Sequence, residues 1–573
     1  MKHVWASDAG PVAPARTNSR APFPLLVVLI VAASLLSACD VLSDFFHPES
    51  VPIEPMPHVA CYDAPLDAVD TVAHRIGEWP ADDYGASLLR ITRYSVPVPR
   101  VAPNVSRTFT FSPETFENRY PPPRTYHALA CRDRLVAIWQ PSTEEAVLVS
   151  IIAGDFGSSA TWSVPSLGQK LVAATLGEEA LYYVTVRTGG DTTRSATVTL
   201  HRYSLDAFAD PGHSHVGLDT SRHGFNMVES NRPWAWHASL AHSHGSVGLI
   251  MNRLMHRSDD GLNHQGAFAV VFDAQTLDVA ASWGQTSGHS FGSYLTSAST
   301  SGGFLGIDHG DNFPRGVHLH RFDRDHRSSR VVYTFKTKHG TTPRNPAGVE
   351  FPIYDEITEG TLSYRWSNDN NVYGELGAVI ETPDGLVVSF IGEPNPDGFA
   401  LDGTRLMHDY LSDPRNVGLV TVRHDFERAS EGPGRNVVTD DLVVSHHETS
   451  ITESGGFYAF NGSWHPQRNA GLRWLTSYTD ANSEHASRLK TIALPSGSIM
   501  LIWELWSRTA FRGVRFTIVD AVGGQVVPET SVTDRTMRLS RVDDPLAHGD
   551  RAILLNGRGM TMEVVAIDLE GVN

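Results

Sequence analysis

The sequence predicts an all-β fold, and three observations carry that prediction. Apolar runs rich in Val, Ile, Leu and aromatic residues recur along the chain. Small polar residues close each run, and the 573 residues include 48 Gly and 34 Pro. Convincing amphipathic helices are few beyond the N-terminal apolar stretch. Short apolar or alternating runs between turn residues are strand signals. A hydrophobic content of 41% and a charged content of 19% suit a folded protein.

After residue 120 one pattern returns: strand, tight turn, strand, polar loop, third strand. Its clearest copy is "HASRLKTIALPSGSIMLIWELWSRTAFRGVRFTIVDAVGGQVV" from His485. Others start at Trp236 ("WHASLAHSHGSVGLIMNRL"), Gly288 ("GHSFGSYLTSASTSGGFLGIDHGDNFPRGVHLHRFD") and Glu375 ("ELGAVIETPDGLVVSFIGE"). Further units begin near Tyr126, Gly168, His446 ("HHETSITESGGFYAFNGSW") and Arg541 ("RVDDPLAHGDRAILLNGRG"). Four-stranded units at such a period point to a β-propeller, which closes on itself and leaves little exposed edge. These units give seven or eight blades; seven follow if the weak unit at Gly168 is not a blade. The last unit lacks a fourth strand, which N-terminal chain supplies through "SLLRITRYSVPVP" or "SRTFTFS". The competing fold is a pair of packed β-sandwich domains. The units look like generic propeller blades of extracytoplasmic bacterial proteins, a resemblance that implies no mechanism.

Arg16 and Arg20 precede the apolar "PLLVVLIVAASLL", which runs into "LSAC" at Leu36–Cys39. A basic stretch, a short apolar stretch and small residues before a break form an export signal. "LSAC" resembles the lipobox of bacterial lipoproteins. The resemblance implies lipidation of Cys39, a membrane partner reached through that lipid, and attachment to the inner or outer membrane of the cell envelope. The domain reading is a cleaved signal over residues 1–38, a lipidated Cys and Pro-rich tether over 39–60, and a propeller over 61–573. Cys61 and Cys131 remain after Cys39, and export permits either a disulfide between them or two buried thiols. The net charge of −18 excludes a nucleic-acid partner, which requires a basic surface.

The strand-two to strand-three loops are long, while the strand-one to strand-two turns are short. Chain length is thus spent on one face, where binding loops normally go. In the fourth of the units, "GIDHGDNFPRG" gathers Asp308, His309, Asp311 and Arg315. Arg precedes Gly before strand three in this loop, at Arg512–Gly513, and with a three-residue spacing at Arg415 and Arg468. That pattern reads either as guanidinium groups facing an anion or as structural ties beside tight bends. Trp464, Trp506, Phe313 and Trp234 lie near these loops and suit stacking on sugars or anchoring an interface.

Histidines recur at the start of strand one: His127, His237, His289, His447 and His485. In a closed propeller those positions converge on the axis, and converging imidazoles favour a transition metal. The alternative is a repeated polar niche. "HSH" at His213–His215 and at His242–His244, and "HLH" at His318–His320, place two imidazoles on one side of a strand. Calcium is conceivable at Ser258–Gly261, Ser367–Asn371 and "DHGDN", although Asp, Asn and Gly also form ordinary turns. "AGDFGSSATW" echoes the Asp-box of sialidases with an extra residue. Nucleophile-elbow, Walker A and dinucleotide patterns are absent. Two functions survive: an envelope lipoprotein binding a protein, glycan or other ligand on its loop-rich face, and a metal-dependent enzyme using the axial histidines.

Overall fold

The computed structural model describes residues 67–68, 74–75, 90–102, 123–142, 145–187, 189, 196–204, 213–220, 236–257, 263–286, 288–299, 302–310, 316–334, 354–358, 361–364, 374–394, 414–428, 437–445, 456–458, 464–466, 469–480, 483–507, 510–532, 534, 536–558 and 561–568. Most of them form seven four-stranded antiparallel blades of a β-propeller; the two-residue strands Asp67–Ala68 and His74–Arg75 extend the outer edges of the first and the last blade. Blade 1 runs Tyr126–Cys131, Arg134–Trp139, Val147–Ile152 and Ser158–Val164. Blade 2 runs Lys170–Leu176, Ala180–Val186, Val198–Ser204 and His213–Leu218. Blade 3 is Ala238–Ser243, Ser246–Arg257, Asn263–Asp273 and Val279–Gln285, and blade 4 is Gly288–Ser297, Phe304–Gly310, Gly316–Phe322 and Arg327–Thr334. Blade 5 is Glu375–Glu381, Leu386–Gly392, Asn416–Val422 and the two-residue Arg473–Trp474. Blade 6 is His485–Ala493, Ile499–Ser507, Ala510–Val519 and Gln525–Val532. Blade 7 is Leu546–His548, Arg551–Arg558, Thr561–Asp568 and, from the N-terminal side, Arg90–Pro97.

The expected closure by N-terminal chain holds for "SLLRITRYSVPVP". Arg90–Pro97 pairs with the last strand from Arg90↔Asp568 to Pro97↔Thr561. Two expectations on the blade count need correction. The Gly168 unit, read as the weakest, is a complete blade, because "SATVTLHRYS" and "HSHVGL" supply its outer strands. The His446 unit is not a blade. Its strands are a hairpin, Gly456–Tyr458 with Trp464–Pro466, in the long connection between strands three and four of blade 5. That hairpin is a two-stranded sheet of its own and pairs with no blade strand among the described residues.

The hydrophobic core lies between blades. Val184, Leu200, Trp236 and Leu249 join blades 2 and 3. Val388 and Phe390 of blade 5 pack with Ile307 and Tyr333 of blade 4. Ile91 in the closing strand packs with Met500, Phe516 and Ile567 across blades 6 and 7. Second strands are therefore covered on both faces, and Ala180–Val186, Leu386–Gly392 and Ile499–Ser507 are buried throughout. This explains their unbroken apolar runs. Each large apolar side chain buried here contributes about 1.5–3 kcal/mol. The ring closes between blades 7 and 1 through Arg551 Nη1 to Gly154 O (3.2 Å), His548 Nε2 to Asp133 O (3.0 Å) and Tyr94 against Phe156 (4.5 Å between centroids).

The recurring glycines have steric reasons. A Cβ on Gly316 would sit 1.9 Å from Tyr333 O, and one on Gly418 would sit 2.9 Å from Trp474. Gly513 adopts φ +148°, a backbone conformation that L side chains rarely adopt, beside a register shift between Leu505 and Trp506.

Candidate functional site

First strands and the segments leading into them surround the propeller axis, where a cavity of about 70 Å³ opens. That space takes a few waters or one end of a small polar ligand. Its wall draws on Ser293, Glu375 and Lys490 in the first strands of blades 4, 5 and 6, and on Arg124, His237 and Asp544 in the segments leading into blades 1, 3 and 7. Gly292, Gly374 and Gly377 also line the wall.

The groups are cross-braced. Arg124 Nε donates to Asp544 Oδ2 at 2.8 Å, while Nη1 donates to Ala238 O and Nη2 to Ser293 O at 3.4 Å. Ser293 O also accepts from His237 Nε2 (3.0 Å) and Ser239 Oγ (3.0 Å). The His237 bond to a carbonyl requires the Nε2–H form. Glu375 accepts from Ser487 Oγ at 2.7 Å and from the Arg488 amide. Arg488 itself lies at φ +60°, within a register shift of strand one.

Asp543, Lys490 and His127 are among the titratable groups near this axis that depart from their ordinary ranges. Burial pushes the Asp543 carboxyl up to about 6, against the hydrogen bond from the Thr125 amide and the charge of Lys490. Its Oδ1 accepts that amide at 2.6 Å. Burial lowers Lys490 to about 8, although Asp544 and Asp543 oppose the shift. Burial and the Arg124 guanidinium hold His127 down to about 3, so it is neutral at physiological pH.

Behind the axis, the fully buried Glu504 accepts from Arg538 Nε (2.9 Å), the Leu539 amide (2.8 Å) and Trp506 Nε1 (3.0 Å). Arg488 Nη1 lies 3.4 Å from the same carboxylate. Blade 6 is thereby tied to the segment that leads into blade 7.

The residues singled out in the sequence have the following places. His127 and His237 approach one another beside Arg124, and His485 is buried on blade 6. His289 has its backbone in strand one of blade 4, with its side chain outside the described residues, and His447 lies outside them altogether. Among the described residues, no three His, Cys, Asp or Glu side chains are assembled to hold a metal. Asp308 is buried and accepts from Thr286 Oγ1 at 2.7 Å, with His320 Nε2 at 3.0 Å. Burial would raise its pKa, but His320 and His318 outweigh that and hold it at about 2. It ties strands two and three of blade 4 to the segment before strand one. His309 is buried beside it.

Trp506 is buried too, with the guanidinium groups of Arg488 and Arg538 at 5.5 and 5.3 Å from its ring. Trp464 has only its backbone described. Arg512 Nε donates to Ser507 Oγ at 2.6 Å within its own blade, and Arg415 is fully buried. Cys131 takes part in a disulfide. Asp311, Arg315, Arg468, Phe313, Trp234, Cys39, Cys61, the leader and the tether lie outside the described residues, as do Ser258–Gly261 and Ser367–Asn371.

Sequence reasoning missed Arg124, Lys490, Asp543 and Asp544. A usable signal was present: "VDDPLAH" and "PPPRTYHALA" put charges immediately before strand one. Lys490 sits in the first strand beside Arg488, within "RLKTIAL".

No known family model matches the chain, and no curated protein does. Among solved structures, an exo-1,5-α-L-arabinanase from a bovine ruminal metagenomic library is similar at 10% identity, over 72% of this chain and 99% of its own, with TM-score 0.28. A GH43 endo-arabinanase from Bacillus licheniformis matches at 12% identity over 62% and 95%, TM-score 0.24. A xylan β-1,4-xylosidase from Bacillus halodurans matches at 12% identity over 82% and 97%, TM-score 0.26. Scores this low carry no argument about activity, and the propeller assignment rests on the strand pairing itself.

Proposed function

We propose that the protein is an exported, lipid-anchored propeller that binds a hydroxyl-rich envelope ligand, of glycan type, at the axial mouth. One observation carries the reading: the cavity wall keeps hydrogen-bonding capacity unfilled. Ser293 Oγ is buried there without a partner among the described residues. Lys490 Nζ donates to Arg541 O at 3.2 Å and retains two of its three N–H groups. Buried polar groups are normally satisfied, and an unsatisfied one costs about 1–3 kcal/mol. A ligand carrying both donors and acceptors recovers that cost, and an apolar ligand does not. The wall is nearly balanced in charge, with Arg124, Lys490 and Arg541 facing Glu375 and Asp544. That balance favours a polyhydroxylated group over a highly charged one. The leader and "LSAC" support export and anchoring at Cys39.

The test is a panel of envelope glycan fragments titrated calorimetrically against mature protein and a Ser293→Val/Lys490→Met variant. Binding by the parent, weakened at least tenfold in the variant, supports the proposal. Equal binding, or none to any fragment, removes it. Anchoring is tested separately by labelling with an alkyne fatty acid: incorporation lost in Cys39→Ala is expected, and label retained in that variant contradicts it.

A further inference from the structure

Far from the axis, the two outer strands of blade 2 bring three histidines together. His213 and His215 lie two residues apart on the fourth strand, hence on one side of it. His201, on the third strand, is the direct cross-strand partner of His215. The ring centroids form a nearly equilateral triangle, with sides of 5.3 Å (His201–His213), 5.8 Å (His201–His215) and 5.4 Å (His213–His215). A metal bonded to three imidazole nitrogens at about 2.1 Å holds their ring centroids roughly 5.2–5.7 Å apart.

The orientation of His201 is fixed from behind. Thr185 Oγ1 donates its single proton to Gln169 Oε1 at 2.8 Å, so at 2.7 Å it accepts from His201 Nε2–H. The lone pair of His201 therefore lies on Nδ1. That atom accepts from His213 Nε2 at 3.0 Å. Tyr183 stacks on the His201 ring at 4.4 Å and an interplanar angle of 4°, fixing its plane. A ligating imidazole held by a hydrogen bond on its other nitrogen is the usual arrangement behind a metal.

We propose that His201, His213 and His215 form a site for one divalent transition-metal ion, Zn²⁺, Cu²⁺ or Ni²⁺, on the outer edge of blade 2. The site is open as it stands, since a proton bridges His201 and His213 and no closed three-residue set is assembled. The ion takes the place of that bridging proton. The Nε2 proton of His213 moves to its own Nδ1, so both imidazoles remain neutral and nothing else is gained or lost. His215, exposed on the edge strand, turns in as the third ligand, and water completes the shell. Imidazole donors select these ions over Ca²⁺ and Mg²⁺, which prefer oxygen. The ion pins the fourth strand to the third.

The experiment is equilibrium dialysis of untagged mature protein against Zn²⁺, with a His213→Ala/His215→Ala variant in parallel. These two side chains contribute little to the core, so the variant is expected to fold. The parent is expected to hold one more equivalent of Zn²⁺ than the variant. With Cu²⁺, electron paramagnetic resonance is expected to show nitrogen coupling that the variant lacks. Equal stoichiometry and identical spectra for the two proteins would overturn the proposal. If the double variant does not fold, His215→Ala alone is expected to weaken binding at least tenfold, and unchanged affinity there has the same force against it.

Discussion

Replacing Asp543 by Asn removes a carboxyl beside the axis whose ionisation burial resists. Its pKa rises from 3.8 to about 6 on folding because burial penalises the charged form. The folded state therefore holds more protons than the unfolded chain between those values, and stability falls as pH rises through that window. A shift of roughly two units corresponds to about 3 kcal/mol, fully present below pH 3.8 and lost above pH 6. Asn carries no charge, so the Asn variant lacks this loss. Its stability relative to the parent is expected to improve by about 3 kcal/mol between pH 3.5 and pH 7, whatever constant offset the lost hydrogen bonds impose. For a chain of this size about 1 kcal/mol moves the melting temperature by about 1 °C. The assay is a series of paired thermal melts across that pH range. A parent-to-variant difference that does not change with pH would refute the assignment of a buried, resisted carboxylate at residue 543.

Three further substitutions probe the frame. Gly316→Ala places a Cβ 1.9 Å from Tyr333 O, on backbone that cannot yield; a loss of about 3 kcal/mol, read as a melting temperature lowered by about 3 °C, is expected. Glu504→Leu strands Arg488 and the Leu539 amide in a buried site; the expected cost is about 3–5 kcal/mol, against a smaller loss in Glu504→Gln, in urea titrations. Ile91→Ala opens a cavity where the N-terminal strand closes the ring; about 2–5 kcal/mol is expected, with faster amide exchange across Arg90–Pro97 than in the parent.

The blades were legible because their inner strands are buried on both faces and so read as unbroken apolar runs. "ALYYVTV" and "LVVSFIG" could sit nowhere but between two neighbours. The closing strand was legible for another reason: "RITRYSVP" is strand-like, and the last unit lacked a fourth strand. The blade count was harder, since "GGFYAFNGSW" has strand-like aromatics and a turn yet forms only a short hairpin. A local pattern does not report whether a neighbouring blade waits to be covered. The axial cluster is a sharper case. Arg124, Lys490 and Asp544 come from distant parts of the chain, and only ring closure brings Arg124 Nε within 2.8 Å of Asp544. The histidine triangle divides the same way: "HSH" was visible, but His201 joins it only through strand pairing. Trp506 shows the reverse error, an aromatic residue beside a loop that the structure buries under two guanidinium groups.

The claim at the centre of this account is that ligand enters the axial mouth. Hydrogen–deuterium exchange of mature protein, with and without a bound glycan fragment, tests it most directly. The account predicts new protection confined to the segments around Ser293, Glu375, Lys490 and Asp544, each lining the cavity. Protection on the outer strands of the blades, with those four segments unchanged, would contradict it.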